Sequence, residues 1–487
     1  MLNRRDVLKL GSAAGAAMLF PAGRLASALS DDPPMPAPFS MPLSLPPDLM
    51  PVHRTSTTDF YEVEISETEH EILPGTRTRL LTYNGSFPGP TIRATRGRET
   101  VIRHTNRMGK PATVHLHGAN VPASSDGHPL DPIAPGTSRV YRYPNHQAAA
   151  TLWYHDHTHH AESEQVYRGL AGAYLLSDPV GRRLPLPSGR YDIPLLIRDA
   201  KFGGDGRLVY RYDDYLNRPT ILVNGRPQPY LDVERRVYRL RLVNCSNLEP
   251  FRFTLTEGAS FLQIASDGGF LPVPAMRREI DLWPSERAEV VVDFRSVRPG
   301  SQVVLENSIA ADDLKRPIMQ FRVGGGGPSG IVARASSAEG FLRGLGIRDW
   351  PIEAPPRRTP SKHRRFVLSA DPNTHEFHIN GRGFDPERVD ATIEHGATEI
   401  WEIVNGDGAL GIPHAMHLHL VQFQILDRNG HPEPSYDAYP KDTVRTNPGD
   451  VVRIQATFDG YTGRYPFHCH FMDHSSHSMM GQFEVVR

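Results

Sequence analysis

An all-β chain of three Greek-key β-sandwich domains is what the sequence predicts, on three observations. At 487 residues the chain is too long for one ordinary core and close to three domains of roughly 150 residues each. It holds 42 Gly and 44 Pro, both above average usage, which favours many short strands joined by turns over long helices. Three blocks of strand-like segments follow one another, each alternating apolar and polar residues with period two between Gly, Pro, Asn or Asp.

The first residues read as an address rather than as fold. Asn3-Arg4-Arg5-Asp6-Val7-Leu8-Lys9 is a twin-arginine pattern, followed by an apolar stretch from Gly11 to Phe20 and a small-x-small cleavage site, Ala26-Ser27-Ala28. Residues 1–28 are therefore expected to be a twin-arginine signal peptide that exports the protein to the periplasm or the cell exterior. The apolar run is short of the roughly 20 residues that span a bilayer, so no membrane span is expected. A Pro-rich, extended lead-in over residues 29–57 comes next.

The first domain is assigned to residues 58–180, where Phe60-Tyr61-Glu62-Val63-Glu64-Ile65 alternates as a half-buried strand does. The second is assigned to residues 190–325, and the third to residues 366–487, with Ile400-Trp401-Glu402-Ile403-Val404 as its clearest strand. Residues 326–365, polar and Pro-rich after a glycine run, read as a linker crossing the outside of the molecule. Its basic end, Arg357 to Arg365, has no aromatic interleaving and reads as solvated surface. Lys plus Arg number 54 against 55 Asp plus Glu, a net charge of -1 that offers no footprint for nucleic acid or an anionic membrane.

The chemistry is announced by four clusters: His115-Leu116-His117, His155-Asp156-His157, His414-Ala415-Met416-His417-Leu418-His419, and His468-Cys469-His470 with His474 and Met479 downstream. H-x-H occurs five times, counting the overlapping His157-Thr158-His159, where 23 His in this length would give about one by chance. The four clusters fall in the first and last blocks, with none in the middle. Residues i and i+2 of a strand share a face, so each H-x-H presents two imidazoles together, and four pairs offer eight ligands to one site. Imidazole suits copper, iron and zinc alike.

Cysteine narrows the choice. In His468-Cys469-His470 the alternation sends the thiolate to the face opposite its neighbours, where it serves a second metal while bonded through the backbone to both histidines. With His474, Met479 and His414 it completes two His, one Cys and a weak axial Met, the blue-copper set; zinc gains nothing from a thioether. An electron received at Cys469 would pass to His468 and His470 and so to the histidine cluster. The other cysteine, Cys245, lies in an alternating segment, Arg239 to Asn244, and is expected to be a buried small apolar residue.

With these motifs the chain resembles the multicopper oxidases of the three-cupredoxin-domain type, closest to the bacterial spore-coat laccase and bilirubin oxidase branch. The likeness covers nearly all of the expected mature chain and includes Tyr83-Asn84-Gly85-Ser86-Phe87-Pro88-Gly89-Pro90-Thr91-Ile92, Leu152-Trp153-Tyr154-His155-Asp156-His157, Ile221-Leu222-Val223-Asn224-Gly225 and Ser266-Asp267-Gly268-Gly269-Phe270-Leu271-Pro272. It implies cupredoxin-like domains and four copper ions. A type 1 copper would be held by His414, Cys469 and His474 with Met479 axial, and a type 2 copper by His115 and His417. A type 3 pair would be held by His117, His155 and His468 on one ion and by His157, His419 and His470 on the other. Asp126 matches a family acid that assists proton delivery; an Asp-Gly turn is its purely structural reading. Ser475 stands where relatives usually carry Glu, which puts a second proton route in doubt and leaves Asp473 as a substitute. Ala415 replaces a frequent proline without touching a ligand, and His159, His160 and His477 match no ligand position.

The resemblance implies oxidation of phenols, aromatic amines or tetrapyrroles by outer-sphere transfer near His474, coupled to reduction of dioxygen to water. The loop from Leu426 to Thr443 is short, which suggests an open mouth at the type 1 site. Two other readings stay open: a cuprous oxidase in copper detoxification, against which stands the absence of a methionine cluster among 12 Met, and a non-enzymatic cupredoxin scaffold, in which ligands would be lost.

Overall fold

The computed structural model describes residues 33–212, 217–326, 333–356, 358–374 and 376–487, and in it three pairs of packed sheets succeed one another along the chain. The expected signal peptide, residues 1–28, lies outside the described residues, as does Arg357. Among the described residues no helix is long and apolar enough to cross a membrane.

The first sandwich packs a five-stranded sheet on a four-stranded one. In the strand Thr58–Glu71, Tyr61, Val63 and Ile65 point inward while Glu62 and Glu64 face solvent, the alternation that period two requires. It runs parallel to Glu99–Asn106. The facing sheet orders Gly89–Thr95, Ala171–Ser177, Ala150–Asp156 and Val114–His117, and Leu116, Leu152 and Tyr154 meet Val63, Ile65 and Tyr141 in one core. The second sandwich joins a seven- and a five-stranded sheet. The third joins two five-stranded sheets around Trp401, whose ring lies 4.5 Å from Phe366 and 5.4 Å from Phe467. Its Nε1 donates to Glu399 at 2.9 Å, which satisfies the buried polar edge.

Two connecting segments differ from the sequence reading. Residues 338–344 of the expected outer linker form a helix, Ala338–Gly344, capped by the Ser337 side chain, and bury Phe341 and Leu342 against Ile264, Phe270 and Val291 of the second sandwich. Polar composition hid a one-turn apolar stripe. The basic end is exposed at Arg358, Lys362, His363 and Arg365, as expected of solvated surface, but it is not linker throughout, because the strand Lys362–Ala370 opens there and pairs parallel with Thr398–Asn405. Arg364 Nε lies 2.7 Å from the Glu399 carboxylate. The lead-in, described from residue 33, turns once at Ala37–Ser40 and then bridges Pro42 to Tyr230 of the second sandwich and Asp48 to Thr91 of the first.

Candidate metal centre

Two antiparallel registers build the site. Val114–His117 pairs with Ala150–Asp156 so that His115 faces His155. His414–Leu418 pairs with Gly463–Cys469 so that His417 faces His468 and Met416 faces Cys469. The first and third sandwiches bring these strands together, with His117 stacked on His417 and His115 on His419, each at 3.8 Å between ring centroids. All eight histidines of the expected cluster are buried.

The register corrects the expected type 3 grouping. Because His417 faces His468, His470 lies opposite Ala415, whose carbonyl accepts from the His470 N–H, and so sits farther along the strand from His419 than His468 does. His468 sits with His157 and His419: the His419 Nε2 atom is 3.2 Å from Nε2 of each. The His470 ring is 4.8 Å from His117 and 5.2 Å from His155. The two triads are thus His157, His419, His468 and His117, His155, His470, with the two histidines flanking Cys469 exchanged relative to the sequence reading.

The tautomers are fixed from outside the cluster. Carbonyl and carboxylate oxygens only accept, so a ring nitrogen bonded to one carries the proton and its partner nitrogen is bare. Nδ1 of His115 donates to Asp126 O at 2.6 Å, of His155 to Asp156 O at 2.8 Å, of His417 to Asp442 O at 2.8 Å and of His468 to Cys469 O at 3.1 Å. The Nε2 atoms of His115, His155 and His417 and both ring nitrogens of His470 are buried without a hydrogen-bond partner. Unpartnered buried nitrogens are costly unless something else satisfies them, and a metal ion does so. Burial pushes the imidazoles down, His115 to about 3 and His468 to about 4, keeping the neutral, ligating form.

The second site lies on the other face of Cys469. Its Sγ is 3.7 Å from His414 Nδ1 and 3.6 Å from His474 Nδ1, and the two nitrogens are 3.2 Å apart. Asp407 accepts from His414 Nε2 at 2.8 Å, turning Nδ1 to the thiol. Burial pushes that thiol up to about 12, so a thiolate here needs a cation beside it. Met479 is fully buried beside it, its carbonyl accepting from the Cys469 N–H. The expected open mouth is not formed by the loop from Leu426 to Thr443. Its helix Ser435–Ala438 packs on the second sandwich, where Gln263 donates to Tyr436 O. His474 is only 4 % exposed, with Phe377 stacked on its ring at 3.9 Å.

Family models described as multicopper oxidase match residues 64–180 and 357–487. The laccase of Bacillus subtilis is 34% identical, the match covering 91% of this chain and 98% of that protein. The chain belongs to the multicopper oxidase family. The bilirubin oxidase of Albifimbria verrucaria is also 34% identical, over 92% of this chain and 81% of its own. The crystal structure of a laccase from Pediococcus acidilactici superimposes with a TM-score of 0.82 at 30% identity, covering 93% of this chain and 95% of that one.

As a multicopper oxidase the protein works with copper, dioxygen and a reducing substrate. Two buried carboxylates flank its histidine cluster. Asp126 Oδ2 accepts from His419 Nδ1 at 2.8 Å while Oδ1 has no partner, and burial holds its carboxyl well above the usual carboxylate range. It also makes the Asp-Gly turn, because a Cβ on Gly127 would meet Val114 O at 2.2 Å. The second carboxylate, Glu162, escaped the sequence reading. It lies in the helix Glu162–Tyr167, and its Oε1 sits 3.4 Å from His157 Nδ1 and 3.9 Å from His155 Nδ1 while Oε2 accepts from Ser475 Oγ at 2.7 Å. Burial pushes Glu162 up to about 8. Asp473, the expected substitute, is engaged elsewhere: it accepts from Ser163 at 2.8 Å and Tyr210 at 3.0 Å and pairs with buried Arg218 at 3.4 Å.

Asp407 and Asp442 were missed as well, since each reaches its histidine through tertiary structure alone. The unassigned histidines stay outside the ligand groups: His160 bonds to Ser476 O, the His159 ring lies tilted against that of His160 at 3.7 Å, and His477 stacks on Tyr212 at 3.6 Å. Cys245 is a free, buried thiol among Trp153, Leu196 and Met472.

Proposed function

We propose that the protein is a laccase-like or bilirubin-oxidase-like enzyme that oxidises phenols, aromatic amines or tetrapyrroles one electron at a time and reduces dioxygen to water. The observation that carries this reading is Cys469, which lies between His414 and His474 on one side while its neighbour His468 stands with His157 and His419 and its neighbour His470 beside His117 and His155. His414, Cys469, His474 and an axial Met479 would hold the type 1 copper, and His115 and His417 the type 2 copper. His117, His155 and His470 would hold one type 3 ion, and His157, His419 and His468 the other. Copper at these positions supplies single-electron uptake at the cysteine and four-electron reduction of dioxygen at the cluster.

The chain's own residues do the rest. His474 offers the donor its shortest route inward, and Phe377 on its ring restricts contact to the remaining edge. The Cys469 backbone links that entry covalently to both triads. Asp126 Oδ1 and Glu162 Oε1, buried and unpartnered, stand beside the cluster on two sides and are positioned to hold the protons that water formation consumes. Retention of every expected ligand speaks against a non-enzymatic scaffold. No methionine cluster supports the cuprous oxidase reading. The Asn3 to Lys9 pattern supports export by the twin-arginine route to the periplasm or the cell exterior.

Oxygen uptake by the copper-loaded protein, with a methoxyphenol, bilirubin and Cu(I) compared as donors, tests the assignment. Fast uptake with the organic donors is expected; uptake driven mainly by Cu(I) would move the protein to copper detoxification.

A further inference from the structure

The middle sandwich supplies no expected ligand, yet one of its side chains reaches the histidine cluster's edge. Arg287, in the strand Arg287–Asp293, is fully buried and holds Asp442 as a two-pronged pair, Nη1 to Oδ1 at 2.7 Å and Nη2 to Oδ2 at 2.6 Å. The guanidinium is fixed in turn by Thr151 O at 3.1 Å, Asp267 O at 2.8 Å and Ser285 O at 3.2 Å. Gln422 Nε2 donates to Asp442 Oδ2 at 3.0 Å. The carboxylate has one orientation.

Asp442 touches histidines of two different sandwiches, one through its carboxylate and one through its backbone carbonyl. Asp442 Oδ1 accepts from His117 Nε2 at 3.0 Å, and the Asp442 carbonyl accepts from His417 Nδ1 at 2.8 Å. Both protons are thereby placed on the outward nitrogens. The nitrogens left over, His117 Nδ1 and His417 Nε2, are buried without partners. Gly118 shows how tightly this is packed: a Cβ there would lie 2.5 Å from both Arg287 Nη2 and Asp442 Oδ2, so the residue after His117 is a glycine where the pair closes on the ring. Asp442 could itself be counted with His117 and His417 as a metal ligand, but the guanidinium occupies both of its oxygens and neutralises it.

We infer that Arg287 and Asp442 are positioning residues for the copper cluster: the Asp442 carboxylate fixes which nitrogen of His117 is offered to metal, the grip of Arg287 on Asp442 holds in place the backbone carbonyl that does the same for His417, and the ligand-free middle sandwich becomes part of the site. The inference rests on the proposed copper assignment. Its consequence is that the pair sets the affinity and symmetry of the cluster without altering the cysteine site.

The test compares the native protein with Arg287→Met/Asp442→Leu, which removes both charges together and leaves no buried ion unpaired. Copper affinity is measured by competition with a chelator, the type 2 signal by electron paramagnetic resonance, and the blue absorbance serves as internal reference. The expected result is an intact blue band, cluster copper held about 10–100-fold more weakly, and a changed type 2 signal. Native cluster affinity and an unchanged signal in the double variant would overturn the positioning role and leave a mere staple between domains. Should the double variant not fold, Asp442→Asn, of native size, is expected to shift the type 2 signal in the same way, and an unshifted signal there overturns the inference. A native protein that shows no type 2 signal would overturn the proposed function together with this inference, whereas a native signal that survives in the variants overturns this inference alone.

Discussion

His104→Phe should abolish one proton's worth of acid sensitivity in folding. His104 sits in the strand Glu99–Asn106, 1 % exposed, with its ring edge-on to Tyr141 at 5.4 Å and neither nitrogen bonded. Burial lowers it from 6.5 to about 3. The folded chain therefore refuses a proton that the unfolded chain accepts. Its stability is complete above the unfolded value of 6.5 and falls as pH drops toward 3, by up to about 1.4 kcal/mol per unit and roughly 4–5 kcal/mol in all. Phe keeps the edge-to-face packing and cannot titrate. In calorimetry of the copper-loaded proteins, the variant should match or exceed the native protein at neutral pH, because two unpartnered nitrogens are gone. Between about pH 6.5 and pH 5 the gap should widen by about 1.6 kcal/mol in the variant's favour. A gap that stays constant over that range would refute the reasoning.

Other substitutions probe the electron and proton routes. Met479→Leu should keep the blue colour and raise the type 1 potential in a redox titration, since a weak donor is removed; loss of all copper would count against the axial role. Glu162→Gln keeps an acceptor for Ser475 but no acidic proton. In stopped-flow experiments it should slow reoxidation of the reduced enzyme by dioxygen about 100-fold while anaerobic bleaching by the donor proceeds at the native rate. Phe377→Ala should raise kcat/KM for bilirubin relative to a small methoxyphenol several-fold, at a cost of about 3 kcal/mol in thermal stability. Arg218→Met leaves Asp199 and Asp473 without their cation and should lower stability by about 3–5 kcal/mol, read as a drop in thermal midpoint.

What was legible in the sequence is what period two encodes. Tyr61, Val63 and Ile65 point inward for the same reason that each H-x-H presents two rings together and that Cys469 faces away from its neighbours. Beyond that reach lie contacts set by register and docking. The exchange of His468 and His470 follows from His417 facing His468, a pairing across more than 50 residues that no local pattern specifies. Glu162 reads as an ordinary acidic residue opening a short helix, and its place beside His155 and His157, with Ser475 of the third sandwich on its other oxygen, is set by the packing of that helix. Asp442 and Arg287 meet 155 positions apart in sequence. The helix Ala338–Gly344 was masked by its polar surroundings, although Ser337 and the Phe341-Leu342 pair carry its cap and its buried face.

The cluster is shared between sandwiches from opposite ends of the chain, His115, His117, His155 and His157 coming from the first and His417, His419, His468 and His470 from the third. Neither half closes a triad alone. Metal occupancy therefore reports that the two terminal sandwiches have docked, and by mass action bound copper must favour the docked form over any partly opened one. Stripping copper should uncouple the melting of the two sandwiches. Since no triad is complete until the chain beyond residue 467 has been made, the centre cannot be filled before the strand that carries Cys469 exists.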